Sequence, residues 1–167
     1  MGVADIPNCM GTNTTLCTLM TELLGIGAYA PGVRDISVQA QYFKDPFKQE
    51  TYLKDNIFLP DVNNEGAQKN HQYKANMLKL EKFVMTMFTE DTMVVPKESA
   101  HFRFFPWGSN QRSEILAFNE TEIYKQDWIG LQQLDKEGKI DFLECQGNHL
   151  QFTLPWLDTE IIKKYLL

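Results

Sequence analysis

Apolar positions along the chain set the first expectations. Between Thr15 and Leu24, Leu16, Leu19, Met20, Leu23 and Leu24 recur at i, i+3, i+4, i+7 and i+8, the stripe of an amphipathic helix that Gly25 and Gly27 end. Val33, Ile36, Ala40 and Phe43 keep helical spacing over 32–43, until Pro46 pushes Asp45 out of the helical region. A shorter helix is expected over 48–54. Ile57-Phe58-Leu59-Pro60 reads as an extended apolar segment running into the polar loop 61–66. A further helix is predicted over 70–81, with Tyr73, Met77 and Leu80 on one side. The first half of the chain is thus helical and rich in loops.

At residue 82 the pattern changes. Phe83-Val84-Met85-Thr86-Met87-Phe88 is a nearly continuous apolar run of strand length, as expected of a parallel strand covered on both faces. The polar stretch Thr89-Glu90-Asp91-Thr92 follows, then Met93-Val94-Val95-Pro96 and an aromatic stretch over 101–108. A helix is predicted over 127–136, with Trp128, Leu131 and Leu134 inward and Gly138 placed for a left-handed cap. A second strand is expected over 139–144. After the loop Gln146-Gly147-Asn148-His149 comes a final helix, with Thr153 as N-cap, Pro155 in its first turn, and Asp158 and Glu160 ahead of Lys163 and Lys164.

Composition narrows the function classes. The chain has 167 residues, 43% of them hydrophobic and 12% aromatic, the size and make-up of one folded domain. Sixteen Lys and Arg against 22 Asp and Glu leave a net charge of −6, which disfavours nucleic acid and anionic lipid surfaces as partners. No run approaches the length of a transmembrane helix, and Met1 to Pro7 carries neither the basic nor the apolar region of a signal peptide. Cys9 and Cys17 flank a turn-rich loop, a spacing that fits either a disulfide or two free thiols, while Cys145 is isolated. Two Asn-x-Thr sequons, at Asn13 and Asn119, point towards a secretory compartment.

Candidate chemistry follows from the strand ends. In open α/β sheets functional groups sit on loops at the carboxyl ends of strands. Asp91 follows the first expected strand, and His149 follows the second and precedes the last helix. That order suits the acid and histidine of a hydrolase triad, in which a carboxylate fixes the imidazole tautomer through Nδ1 and leaves Nε2 to take a proton. The bland alternative makes Asp91 a turn residue and His149 structural. His71 and His101 read as solvated or packing residues, and Cys145, at a strand end, reads as a buried and inert thiol.

Several ordered segments make the chain resemble the C-terminal portion of the lysosomal palmitoyl-protein thioesterases. They are Val38 to Pro46, Phe58 to Glu65, Lys82 to Met85, Glu90 to Ser99, Tyr124 to Leu131 and Gly147 to Leu150. The resemblance implies an α/β fold: the last strands and helices of an α/β-hydrolase over 82–167, preceded by a helical lid over 1–81 that helps form an acyl groove. It implies Asp91 and His149 as triad acid and base, a disulfide between Cys9 and Cys17, and Phe43, Met93 and Val94 at the acyl groove. The implied substrates are S-palmitoylated proteins or peptides and other long-chain acyl thioesters, hydrolysed in the lysosome without cofactor or metal. The family's nucleophile stands in a Gly-x-Ser-x-Gly turn, and this pentapeptide does not occur; Gly108-Ser109-Asn110-Gln111 lacks the second Gly. The serine is therefore expected upstream of Met1, in a longer protein. The competing expectation is a catalytically inactive remnant that keeps an acyl-binding surface. His101 stands where relatives carry Trp, and the Asn119 sequon has no counterpart in the pattern.

Overall fold

The computed structural model describes residues 1–5, 27–35, 38–109 and 114–167. Its centre is a pair of parallel strands, β1 (Phe83–Phe88) and β2 (Ile140–Cys145), aligned from Phe83 opposite Ile140 to Phe88 opposite Cys145. Both fall within one residue of the expected bounds. Only alternate positions of β1 are well covered: Met85 and Met87 are buried and their neighbours half-buried. On β2 Phe142 remains 43% exposed. The expectation that both faces are covered is therefore corrected to one well-packed face.

Between the strands the chain crosses over through two short helices, as a parallel connection requires. These are α5 (Glu122–Lys125) and α6 (Leu131–Lys136), numbered after four short helices of the earlier chain. Leu131 and Leu134 have no exposed surface; Leu131 joins Met85, Phe102, Ile123 and Ile129 in the cluster beneath the sheet. The helix expected over 127–136 starts late because Asp127 and Gly130 take left-handed backbone angles, φ 51° and 89°. At Gly130 a Cβ would stand 3.0 Å from Leu78 Cδ2, so the loop passes as close to Leu78 as a glycine allows. Gly138 ends α6 at φ 67°, as expected, and Lys139 N reaches back to Leu134 O at 2.9 Å. Thr153 Oγ1 accepts from Trp156 N at 3.3 Å and starts the last helix, α7 (Leu154–Trp156), which continues with π-type winding over Leu157–Leu166.

The earlier part of the chain is less regular than its apolar spacing predicts. Over 32–43 only α1 (Val38–Gln41) is helical among the described residues, and α2 spans Gln49–Asp55. The extended segment expected at 57–60 instead enters a helical turn, α3 (Leu59–Val62), with Pro60 in the first turn, where its missing N–H costs nothing. α4 (His71–Met77), capped by Asn70 Oδ1 on Gln72 N at 3.0 Å, fully buries no residue and ends short of the expected 81, so Leu80 lies beyond it and exposed. The helix expected over 15–24 lies outside the described residues.

Side-chain amides tie these loops down. Asn56 donates to Gln41 O and Phe43 O at 2.9 and 3.0 Å and accepts from Phe58 N and Leu59 N. Asn64 donates to Asn70 O and Trp128 O at 3.1 and 2.9 Å and accepts from Asn70 N. Both are about as buried as the aromatic core residues Tyr29, Phe43 and Tyr52. Lys44 pairs with Glu65, which also accepts from Tyr52 Oη, and the Lys44 ammonium lies 5.2–5.3 Å from the ring centres of Tyr52, Phe104 and Trp107.

Truncating the fully buried Leu134 to Ala should lower the unfolding free energy by about 2–5 kcal/mol, read from the urea midpoint at unchanged slope. A loss below roughly 1 kcal/mol would show that the crossover helix is not part of the cooperative core.

Candidate active site

The parallel ladder runs past the strand ends. Thr89 N donates to Cys145 O at 2.9 Å and Glu90 N to Gly147 O at 3.0 Å, so the loops that follow leave side by side. The Asp91 carboxylate is fixed on one side by its own loop: Oδ1 accepts from Met93 N at 2.8 Å and Val94 N at 2.9 Å. Its other oxygen, Oδ2, lies 2.9 Å from His149 Nδ1. An ionised carboxylate can only accept, so the proton on this axis belongs to Nδ1, and Nε2 is the nitrogen left for other partners. The Asp91 side chain is 4% exposed and that of His149 38%, a covered acid holding an accessible imidazole.

The His149 loop is strained enough to have a defined shape. Gly147 sits at φ 127°, and a Cβ there would meet Gln151 O at 2.9 Å, so the position demands glycine. Gln151 N donates to Asn148 O at 2.9 Å, and Asn148 N to Gln151 Oε1 at 3.0 Å. Leu150 takes φ 60° and is 63% exposed. The imidazole lies 6.4 Å from the Phe88 ring at the end of β1. Sequence reasoning missed Asn148, whose amide bonds to Thr92 on the opposite loop; the signal was available in the Asp91-Thr92 and Asn148-His149 pairs on adjacent strand ends.

The remaining candidates fall elsewhere. Met93 is 47% exposed and Val94 half-buried next to Asp91, whereas Phe43 is 3% exposed in the core, its ring centre 5.8 Å from that of Tyr29. Cys145 is 2% exposed and burial pushes its thiol up, which removes the thiolate a nucleophile needs. His71 is exposed at the start of α4. His101 is buried: its Nε2 donates to Met85 O and Leu143 O at 3.2 and 3.1 Å, and its ring stands edge-on to Phe142. Asn119 is exposed in a short helical turn over Phe118–Glu120, while Cys9, Cys17 and Asn13 lie outside the described residues. A cavity of about 450 Å³, lined in part by Leu53, Phe104, Phe105, Trp107 and Ile123, opens beside the Lys44–Glu65 pair. Among the described residues no three His, Cys, Asp or Glu side chains gather to hold a metal, and no helix is long and apolar enough to cross a membrane.

Parallel strands with crossover helices, and an acid and then a histidine on loops at their carboxyl ends, define the α/β-hydrolase class. The palmitoyl protein thioesterase family model matches residues 1–149, and the chain belongs to that family, one of α/β-hydrolases. It is 44% identical over 166 residues to Palmitoyl-protein thioesterase 1 of Caenorhabditis elegans, covering 99% of this chain and 54% of the relative. It is 34% identical over 149 residues to Palmitoyl-protein thioesterase 3 of Dictyostelium discoideum, covering 81% and 51%. With Lysosomal thioesterase PPT2-B of Xenopus laevis the identity is 33% over 120 residues, covering 71% and 40%. The chain thus spans about half the length of the curated relatives it matches.

Because burial favours the neutral thiol of Cys145, its alkylation in the folded protein should be slow at neutral pH and rise only at a pH above that of a free thiol. Unfolding in urea should speed it roughly tenfold or more, followed by peptide mapping of the Cys145 adduct. Equal rates in the two states would refute the buried placement.

Proposed function

We propose that this chain carries the acid and the base of a palmitoyl-protein thioesterase: Asp91 holds the His149 tautomer, and His149 Nε2 takes the proton of a serine nucleophile as it attacks the thioester carbonyl. As the C–S bond breaks, His149 gives that proton to the departing cysteine thiolate and leaves an acyl-serine; it then takes a proton from the water that attacks this ester and returns it to the serine oxygen as the fatty acid leaves. The observation that carries the reading is the 2.9 Å contact between His149 Nδ1 and Asp91 Oδ2, made across 58 residues by a covered acid and an accessible imidazole. The names of the relatives support thioester-linked palmitate on proteins or peptides as substrate, and a lysosomal setting. Residues 1–81 form the helical lid in this proposal. Met93 and Val94, beside the acid, offer apolar surface to the acyl chain, and Phe43 supports the groove from within the core. Cys9 pairs with Cys17, and Asn13 and Asn119 are glycan acceptors. No Gly-x-Ser-x-Gly occurs in the 167 residues, so the mechanism needs a serine that this stretch does not provide.

A second reading, an acyl-binding protein without catalysis, is favoured by the 450 Å³ cavity with its aromatic walls. A chimera separates the two. Substituting this chain for the matching 166 residues of the Caenorhabditis relative should preserve hydrolysis of a palmitoyl thioester. In that chimera Asp91→Asn should lower kcat by about 10³–10⁴-fold through the wrong tautomer, and His149→Ala by at least as much. A folded chimera that binds palmitate but is indifferent to both substitutions would favour the second reading.

A further inference from the structure

We propose that Asn148 is a positioning residue: its side-chain amide fixes the two loops at the separation that places His149 Nδ1 on Asp91. The inference rests on the reading of Asp91 and His149 as an acid–base pair. Asn148 Oδ1 accepts from the backbone of both loops, from Thr92 N at 3.1 Å and from His149 N at 2.7 Å. Its Nδ2 donates to Thr92 Oγ1 at 3.2 Å. One amide therefore joins the residue after the acid to the backbone of the histidine itself.

The need for such a link follows from the loop. Beyond the ladder bond from Glu90 N to Gly147 O, the backbone leaves regular pairing, and Gly147 and Leu150 both take positive φ. Asp91 Oδ1 is already committed to Met93 N and Val94 N, which orients the carboxylate but says nothing about the opposite loop. A half-exposed imidazole on a loop free to shift by an ångström would lose a bond whose useful range is a few tenths. Asn148 removes that freedom by setting the separation between Thr92 and His149, and a single hydrogen bond at Nδ1 then selects the tautomer. The amide suits the task because it presents an acceptor to two N–H groups and a donor to a hydroxyl.

Nitrogen-15 spectra of the imidazoles, recorded on the full chain at alkaline pH, test this directly. The unsubstituted protein should show His149 as the Nδ1–H tautomer, and Asp91→Asn should abolish that preference. Asn148→Ala should shift His149 towards Nε2–H and speed exchange of the Nδ1 proton roughly tenfold, with the amide signals of β1 and β2 unmoved. Asn148→Asp, which keeps both acceptor bonds, should restore the Nδ1–H form. Thr92→Ala, which removes one of the bonds, should give a smaller acceleration and serves where Asn148→Ala disturbs the strands. Retention of the Nδ1–H tautomer and its exchange protection in Asn148→Ala, or in Thr92→Ala where that variant is used, overturns the positioning role alone. Absence of that tautomer in the unsubstituted protein, or indifference to Asp91→Asn, overturns the acid–base reading and the positioning role with it.

Discussion

The parallel pairing of β1 with β2 is the constraint on which the candidate site depends. Phe88 and Cys145 lie opposite one another, so Asp91 arrives three residues beyond one strand and His149 four beyond the other. A slip of one residue would turn every side chain of a strand to its other face and carry the loop with it. The Asp91–His149 contact does not create this arrangement. A single partly exposed pair of this kind is worth about 1 kcal/mol or less, far below the cost of ordering two loops. Register comes first, loop geometry second, and the tautomer last.

What holds the register is packing on one side of the sheet. Met85 packs against Phe102 and the α6 residue Leu131, and His101 adds a polar clamp by donating to a carbonyl on each strand. The His101 ring also stands edge-on to Phe142, its centre 5.1 Å away, so the clamp is packed as well as bonded. The earlier part of the chain is joined to this core by backbone bonds such as Ala4 N to Val95 O and by Ser99 Oγ donating to Gly2 O at 2.7 Å. The buried Lys44–Glu65 pair adds definition more than stability, since desolvating two charges consumes most of what their attraction returns.

The strands and the position of Asp91 and His149 beyond their ends were legible in the sequence for a physical reason. A continuous apolar run bounded by polar residues has few alternatives, and the position of Asp91 and His149 just beyond two such runs follows from it. The helices were less legible because their spacing competes with local chemistry. At 127–136 the inward stripe is real, yet Asp127 spends its carboxylate on Gln132 N and Lys74 and bends the chain before Leu131. At 57–60 an apolar run turns helical because Asn56 Oδ1 caps Phe58 N and Leu59 N, a bond no hydropathy pattern records. Tyr73 and Met77 keep helical spacing yet are only half-buried, because α4 lies at the surface. Asn148 escaped notice because its role exists only across two loops far apart in the chain.

The asparagines that fasten the irregular first half carry a consequence of their own. Asn56, Asn63 and Asn64 are 6%, 3% and 3% exposed, and each satisfies backbone groups that aspartate in the same place would meet with a charge. A carboxamide has no proton to gain or lose between neutral and acidic solution, so the bonds that Asn56 and Asn64 make to backbone groups do not change across that range. Aspartate could accept from the same N–H groups, but while ionised it would repel the carbonyls that the amide nitrogens now serve. At these three positions the loops are thus fastened by side chains that carry no ionisable proton of their own.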